Sequence, residues 1–164
     1  MLYRVLIILL LLFKCTTANA FEDYNFLNGE WTCKMKSVLE NDAILEVDSH
    51  ITTSIKNLNS YAKSFFKIYF KQNPDLASII SVESSEKMDF EGDIMISFDS
   101  KTHKTDLIKD ELNIFSPESV KSFTRGPSVT VKSKIQKIDD ETITLIGIPA
   151  KDVINCFKAQ KSAV

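Results

Sequence analysis

The stretch GEWTCKM, residues 29–35, alternates between two kinds of side chain. Trp31, Cys33 and Met35 share one side of an extended chain, and the polar residues between them share the other. An apolar face opposite a polar face predicts a half-buried β-strand. Trp31 is the single tryptophan among the 164 residues, so this strand directs the largest side chain of the protein toward the predicted interior.

The same period of two continues along most of the chain and predicts further strands. The alternating or β-branched runs cover 45–55, 62–70, 80–90, 94–98, 129–135, 142–148 and 153–158. Short turns separate them, which gives about eight or nine strands. Such a sheet must close into a barrel or fold into a sandwich to remove its edges.

The periodicity changes between Thr105 and Arg125. Four apolar residues recur there at helical spacing and predict a helix: Leu107, Ile108, Leu112 and Phe115. Ser116-Pro117-Glu118 is typical of a helix start and predicts a second, short helix that Gly126-Pro127 would end. A long loop with local turns is the alternative. We therefore expect an all-β, antiparallel up-and-down barrel of about eight strands with a short helical insertion.

The first twenty residues predict a cleaved signal peptide. Arg4 provides the basic start, Val5–Phe13 is an apolar run, and Ala18-Asn19-Ala20 fits a cleavage site. The apolar run is shorter than the ~20 residues that a helix needs to span a bilayer. We expect residues 1–20 to be removed, residues 21–164 to form the domain, and no transmembrane span.

The cysteines predict one disulfide. Cys15 follows the apolar run, as in a bacterial lipoprotein, but Lys14 precedes it where lipoprotein processing needs a small residue, so plain secretion is favoured. Loss of the signal peptide leaves Cys33 and Cys156, which in an oxidising compartment predict a bond. The chain-entropy model gives ~4–5 kcal/mol for closing so long a loop. Two unpaired buried thiols are the alternative.

The charge of the exported chain argues against nucleic-acid binding. Without Arg4 and Lys14 the basic residues fall from 20 to 18, against 22 acidic residues, so the net charge is −4. Arg125 is then the only arginine, which leaves little for phosphate or base recognition. The sequence has no Asn-x-Ser/Thr glycosylation acceptor, which favours a bacterial periplasm over a eukaryotic secretory pathway.

Gly29-Glu30-Trp31, at the start of the first strand of a small secreted β-protein, resembles the Gly-x-Trp motif of lipocalins and the wider calycin group. In that family the tryptophan closes the bottom of an antiparallel barrel, and the glycine lets the chain turn tightly into the strand. The closest resemblance is to short periplasmic lipocalin-like proteins with a cysteine two residues after the tryptophan and another in the last strand. A Thr-Asp-Tyr-like second motif is absent. No arginine lies in the last strands to stack on Trp31, and Lys158 is the one basic residue placed to do so.

The polar residues do not form a catalytic or metal-binding pattern. His50 lies beside Asp48 on the polar face of a strand, without a nucleophile, so a solvated surface pair is favoured. His103 has no ligand at metal spacing, and the carboxylates around Gly92 lack the remaining ligands of a calcium loop. We expect no catalytic residue, no metal, no cofactor and no enzymatic activity.

The inward face of the barrel provides the best candidates for function. The resemblance and the apolar inner face together imply that a small apolar ligand, such as a lipid or fatty acid, binds inside. An interior filled by its own side chains is the alternative. Ser49, Thr53, Ser64 and Ser84 on the same face favour a partly polar cavity. The predicted ligand-binding residues are Met35, Val47, Ile51, Phe66, Ile68, Phe70, Met88 and Phe98.

A second function class follows from the outer face. Phe65 and Tyr69 are predicted to point outward on either side of Lys67. If they are exposed, they form an apolar patch, and the protein could be a ligand-free barrel that binds or inhibits another protein through its loops. If residues 105–123 pack over them, they belong to the core instead.

Overall fold

The computed structural model describes residues 24–123 and 129–159, with the backbone alone at 122 and 123. Eight antiparallel strands follow one another in chain order around a closed barrel, which confirms the predicted fold class and excludes the sandwich. The strands are β1 Gly29–Val38, β2 Ala43–Ser54, β3 Asn59–Phe70, β4 Asn73–Glu91, β5 Ile94–Asp110, β6 Val131–Lys137, β7 Thr142–Ile148 and β8 Val153–Lys158. One short α-helix, α1 Pro117–Phe123, precedes β6.

Three predictions fall outside the described residues: the signal peptide, the disfavoured lipid anchor at Cys15 and the helix end at Gly126-Pro127. Within the described ranges, no helix is long and apolar enough to cross a bilayer.

Pairing between the first and last strands closes the barrel. Cys33 faces Cys156 across the ladder, with 3.9 Å between their Cα atoms, and the two form the predicted disulfide. Both cysteines are buried. The bond joins residues 123 apart in sequence and indicates an oxidising compartment.

Trp31 plugs the end of the barrel at which the chain enters β1. Gly29 has a φ of 112°, a conformation that glycine adopts without strain, and it turns the chain into the strand as predicted. The Trp31 side chain is 3% exposed, and its Nε1 donates a hydrogen bond to the Leu27 carbonyl oxygen at 2.9 Å. The Lys158 ammonium lies 5.5 Å from the centre of the indole ring. Lys158 thus lies over the ring of Trp31, as its position in the last strand predicted.

The main apolar core surrounds this plug. Its buried members include Leu27 before β1, Ile55 after β2, Met88 near the end of β4, and Ile143 and Leu145 on β7. Asn28 ties the entry turn to this region because its Oδ1 accepts a hydrogen bond from the Ile55 amide at 2.8 Å. We call the end of the barrel that holds Trp31 the floor.

The helix predicted around Leu107 is wrong, because β5 continues as a strand to Asp110. The pairing of β4 with β5 shifts at three places, and at each shift β5 contains one residue more than β4. Each such β-bulge interrupts the alternation of inward and outward side chains. One bulge lies at Ile108, next to Leu107, while Leu112 and Phe115 follow the end of β5. The four apolar residues therefore imitate helical spacing without belonging to one element.

The second predicted helix is confirmed as α1. Its start has the capping geometry that the sequence indicated, since the Ser119 amide donates to Ser116 Oγ at 3.1 Å. The Val120 amide also donates to the Ser116 carbonyl oxygen at 3.0 Å.

The outer face does not present the predicted aromatic pair as an exposed patch. Tyr69 is 8% exposed and packs with Ile44 and Ala77, while Phe65 is half-buried. The Tyr69 hydroxyl donates to Glu46 Oε1 at 2.8 Å. This environment makes Tyr69 a structural residue of the outer face.

Removing the disulfide should lower the free energy of unfolding by ~4 kcal/mol. Without the cross-link, the unfolded chain has more conformational entropy and is therefore more stable. The test is urea denaturation of a Cys33→Ala/Cys156→Ala double variant against the unreduced parent. Thiol counting on the denatured parent should find no free thiol at either cysteine. Equal stabilities, or two free thiols, would contradict the pairing.

Trp31→Ala should cost ~3–5 kcal/mol of unfolding free energy, because it leaves a large cavity in the floor. Phe157→Ala is the matched control on the neighbouring strand β8, where the ring is 48% exposed. The control should change stability by less than ~0.5 kcal/mol. Similar losses in the two variants would show that Trp31 does not act as the plug of the barrel.

Candidate ligand-binding site

The barrel encloses a cavity of about 330 Å³. Side chains from all eight strands line it, together with Leu27 from the turn before β1. The floor at Trp31 and the disulfide between Cys33 and Cys156 both form part of its wall. The volume lies in the lower part of the range in which proteins bind small molecules, ~300–1,000 Å³. The interior is therefore not filled by its own side chains.

Five of the predicted ligand-binding residues line this cavity: Met35, Val47, Ile51, Phe66 and Met88. They come together because cross-strand neighbours share a face, as Met35 does with Val47, and Val47 with Phe66. Ile68 and Phe70 lie farther along β3 and do not line the cavity, and Phe70 is 37% exposed.

The inward position predicted for Phe98 is wrong. The turn at Gly92-Asp93 pairs Glu91 with Ile94, so Ser97 faces Met88, and Phe98 faces Lys87 on the outer side. The apolar run Ile94, Ile96, Phe98 thus occupies the outward face of β5, while Met95 and Ser97 line the cavity. The number of residues in the turn fixes which side chains point inward, and apolar character does not.

Part of the cavity wall is polar. Four buried serines line it: Ser49, Ser60, Ser97 and Ser133. Ser49 and Ser64 share a hydrogen bond between their hydroxyl oxygens at 2.8 Å across β2 and β3. Thr53 also lines the cavity, so two of the polar residues predicted for the inner face, Ser49 and Thr53, are in place.

Glu86 brings a carboxyl group into this wall. Its Oε1 accepts a hydrogen bond from Ser60 Oγ on β3 at 3.1 Å and another from Ser97 Oγ on β5 at 3.0 Å. Burial raises the pKa of the Glu86 carboxyl above its ordinary value of 4.5, and the two serine hydrogen bonds act in the opposite direction. Among the described residues that line the cavity, Glu86 is the one with an ionisable side chain.

The sequence contained a signal for Glu86 that the prediction of ligand-binding residues did not use. Glu86 occupies the inward position of β4, two residues before Met88. An acidic residue in register with inward apolar residues is unusual, because an enclosed charge loses its hydration. Ser60, Ser97 and Ser133 carried no comparable signal, since serine is common on both faces of a strand.

The end of the barrel opposite the floor is called the mouth. There β1, β3, β5 and β7 finish and the even-numbered strands begin. Most exposed large apolar side chains of the described chain lie at or beside the mouth: Val38, Leu39, Phe70, Leu76, Leu107, Ile108, Ile114, Val129, Val131, Ile148 and Val153. Val131 is 50% exposed and also lines the cavity, so the cavity reaches solvent near the start of β6.

The two histidines lie outside this site. His50 Nδ1 is 3.4 Å from Thr32 Oγ1 on the exposed outer face, and the neighbouring Asp48 pairs with Lys34 at 3.6 Å. His103 Nε2 is 2.7 Å from Ser85 Oγ, also at an exposed position. Within residues 24–123 and 129–159, no group of three or more His, Cys, Asp or Glu side chains is arranged to hold a metal ion.

Comparison with known proteins does not assign the chain to a family. No protein-family model matches it, and no curated protein matches its sequence.

Glu86→Gln should raise the free energy of unfolding at pH 7. Because the folded-state pKa of Glu86 is raised, the folded protein binds its proton more tightly than the unfolded chain does. The resulting stability is fully present below the unfolded pKa and is lost as the pH rises through the folded pKa. The gain from Glu86→Gln should therefore disappear near pH 4, as urea denaturation between pH 3.5 and 8 will measure.

Glu83→Gln is the matched control on the outer face of the same strand. Glu83 accepts a hydrogen bond from the Tyr61 hydroxyl at 2.9 Å and pairs with Lys63 at 3.2 Å. These contacts lower its pKa, so its removal should bring no gain at pH 7. A gain of equal size in both variants would trace the effect to net charge.

Proposed function

We propose that this protein is a lipocalin-like carrier that binds a small, mostly apolar ligand in its barrel. The observation that carries the proposal is the cavity of about 330 Å³, which most of the apolar inner face lines. A preformed apolar cavity with a few polar groups is the usual form of a small-molecule site. The Gly29-x-Trp31 floor supports the likeness to lipocalins, which itself rests on fold and motif.

The shape of the barrel supports uptake through the mouth. Trp31 and the core around it block the floor, whereas the cavity reaches solvent beside Val131 at the opposite end. The exposed apolar residues at the mouth lower the free-energy cost of bringing an apolar ligand, or another molecule that delivers the ligand, to the opening.

We also propose that the protein is secreted through a cleaved signal peptide and acts in the bacterial periplasm, without a catalytic activity. The disulfide between Cys33 and Cys156 supports an oxidising compartment. The apolar run and the Ala18-Asn19-Ala20 pattern in the sequence support the signal peptide.

The second candidate function is an interaction or inhibitor module that acts through its loops. The exposed apolar residues around the mouth favour it, because such groups gain free energy when a partner protein covers them. The two functions differ in what they need from the interior. A carrier loses its function when the cavity is filled, and an interaction module keeps its partner.

Ser133→Phe should abolish ligand binding, because it places a phenyl ring in the cavity from a buried position on β6. Native mass spectrometry of the protein from its own source should show bound mass in the parent and none in the variant. Binding of decan-1-ol, measured by displacement of N-phenyl-1-naphthylamine fluorescence, should weaken by at least about tenfold, a free-energy loss of about 1.4 kcal/mol.

Lys134→Phe is the control, since this neighbouring side chain points outward and pairs with Asp93 at 3.0 Å. It adds the same ring outside the barrel and should leave decan-1-ol binding unchanged. A parent protein that carries no bound mass and does not bind decan-1-ol would refute the carrier function. A crosslinked protein partner that Ser133→Phe retains would then favour the interaction module.

A further inference from the structure

We propose that Glu86 recognises a protonated amine, so that the ligand of the cavity is an amphiphilic cation with an ammonium group and an apolar tail. The inference rests on the proposed carrier function and specifies its ligand class. It departs from the lipid or fatty acid that the sequence suggested, because a fatty acid would bring a second carboxylate to Glu86.

The charge of the cavity favours a cation. Among the described residues that line it, the remaining side chains are apolar or carry hydroxyl groups, and Cys33 and Cys156 are joined as a disulfide. No lysine, arginine or histidine from this lining faces Glu86. The carboxylate is therefore enclosed without a cationic partner from the described part of the wall, and an ammonium group would supply one.

The hydrogen bonds of Glu86 leave one side of the carboxylate available. Ser60 and Ser97 both donate to Oε1, from β3 on one side and β5 on the other. Oε2 receives no hydrogen bond from the described residues, although Glu86 lines the cavity. The two serines thus fix the direction of the carboxylate, and Oε2 is available to a donor from the cavity.

A primary ammonium group matches this arrangement in number of donors. It carries three N–H groups, and a carboxylate oxygen that is largely buried binds such a donor more strongly than it does in bulk water. The hydroxyl oxygens of Ser60 and Ser97 each keep acceptor capacity while they donate to Glu86. A quaternary ammonium has no N–H to offer, so it should bind more weakly than a primary amine of the same tail.

The surrounding wall accommodates the rest of the ligand. Met88 and Met95 lie next to Glu86 and Ser97 along the inward faces of β4 and β5, and both line the cavity. Methionine side chains adapt to ligands of different shape. The amine would therefore be recognised by one directed group and the tail by non-directional apolar contact.

Three ligands with the same ten-carbon tail test the proposal on the full, oxidised protein. Decylamine, decan-1-ol and decanoate are titrated by isothermal calorimetry at pH 7 against the parent, Glu86→Gln and Glu83→Gln. The parent should bind decylamine about 10- to 100-fold more tightly than decan-1-ol, as a hydrogen bond to a charged group allows. Decanoate should bind more weakly than decan-1-ol because its carboxylate repels Glu86.

Glu86→Gln should remove the preference for decylamine and leave decan-1-ol binding within about threefold of the parent, since a neutral amide of similar shape replaces the carboxylate. Glu83→Gln removes the same formal charge on the outer face and should keep the full preference. These two variants separate recognition by Glu86 from a general effect of net charge.

The pH dependence provides an independent readout. Decylamine stays protonated through neutral pH, as a lysine side chain does, and no other ionisable side chain of the described lining faces Glu86 from β3, β5 or the remaining strands. Decylamine affinity should therefore rise between pH 4 and pH 8 in the parent as Glu86 ionises. It should stay flat in Glu86→Gln.

The outcomes distinguish failure of this inference from failure of the carrier function. If decan-1-ol binds but decylamine is no tighter, or decanoate is the tightest ligand, recognition of an amine is wrong and the carrier function stands. Tight decanoate binding would instead mean that Glu86 acts as a neutral acid that donates its proton in a hydrogen bond. If none of the three ligands binds, both proposals are refuted.

Discussion

β1 and β8 lie at opposite ends of the domain in sequence, and their pairing turns a row of strands into an enclosed space. The Cys33–Cys156 disulfide fixes this contact at a point where both side chains face the interior. Without it, two strand edges with unpaired backbone groups would be exposed to solvent and to other chains. Closure also creates the cavity, since a wall is complete only when β7 and β8 stand opposite β3 and β4. The stability of the fold and the existence of the site therefore both depend on the pairing of β1 with β8.

The floor determines the direction from which the interior can be reached. Trp31 fills the space at the entry to β1, and its hydrogen bond to Leu27 and the ammonium of Lys158 above its ring hold the indole in place. A Lys above an aromatic ring is a weaker geometric match than an arginine, whose planar group can stack. Burial of the indole, rather than this cation contact, provides most of the stabilisation. The opposite end is left with exposed apolar groups and the opening.

Glu86 shows how a closed barrel changes the meaning of a residue. On an exposed strand, a glutamate beside two serines would be an ordinary surface group. Inside the barrel the same carboxylate loses hydration, its pKa rises, and both serine hydroxyls turn toward one of its oxygens. Keeping such a group costs stability, and acids with perturbed pKa values in cavities often mark binding or catalytic sites. The assignment of a ligand of opposite charge rests on geometry: both serines donate to Oε1, Oε2 receives no hydrogen bond from the described residues, and the described lining of the cavity contains no cationic side chain.

The sequence by itself determined the strand order, the paired cysteines, the short capped helix and the inward position of five of the eight predicted ligand-binding residues, because alternation and turn chemistry are local properties. It failed at Phe98 and around Leu107 because a two-residue turn and three β-bulges reset which side chains of β5 face inward, and no local apolar pattern records such a shift. Only the tertiary structure decided that the interior is open and that Glu86, Ser60 and Ser97 meet there. Cavity volume and loss of hydration are properties of the closed barrel, which strands remote in sequence create together.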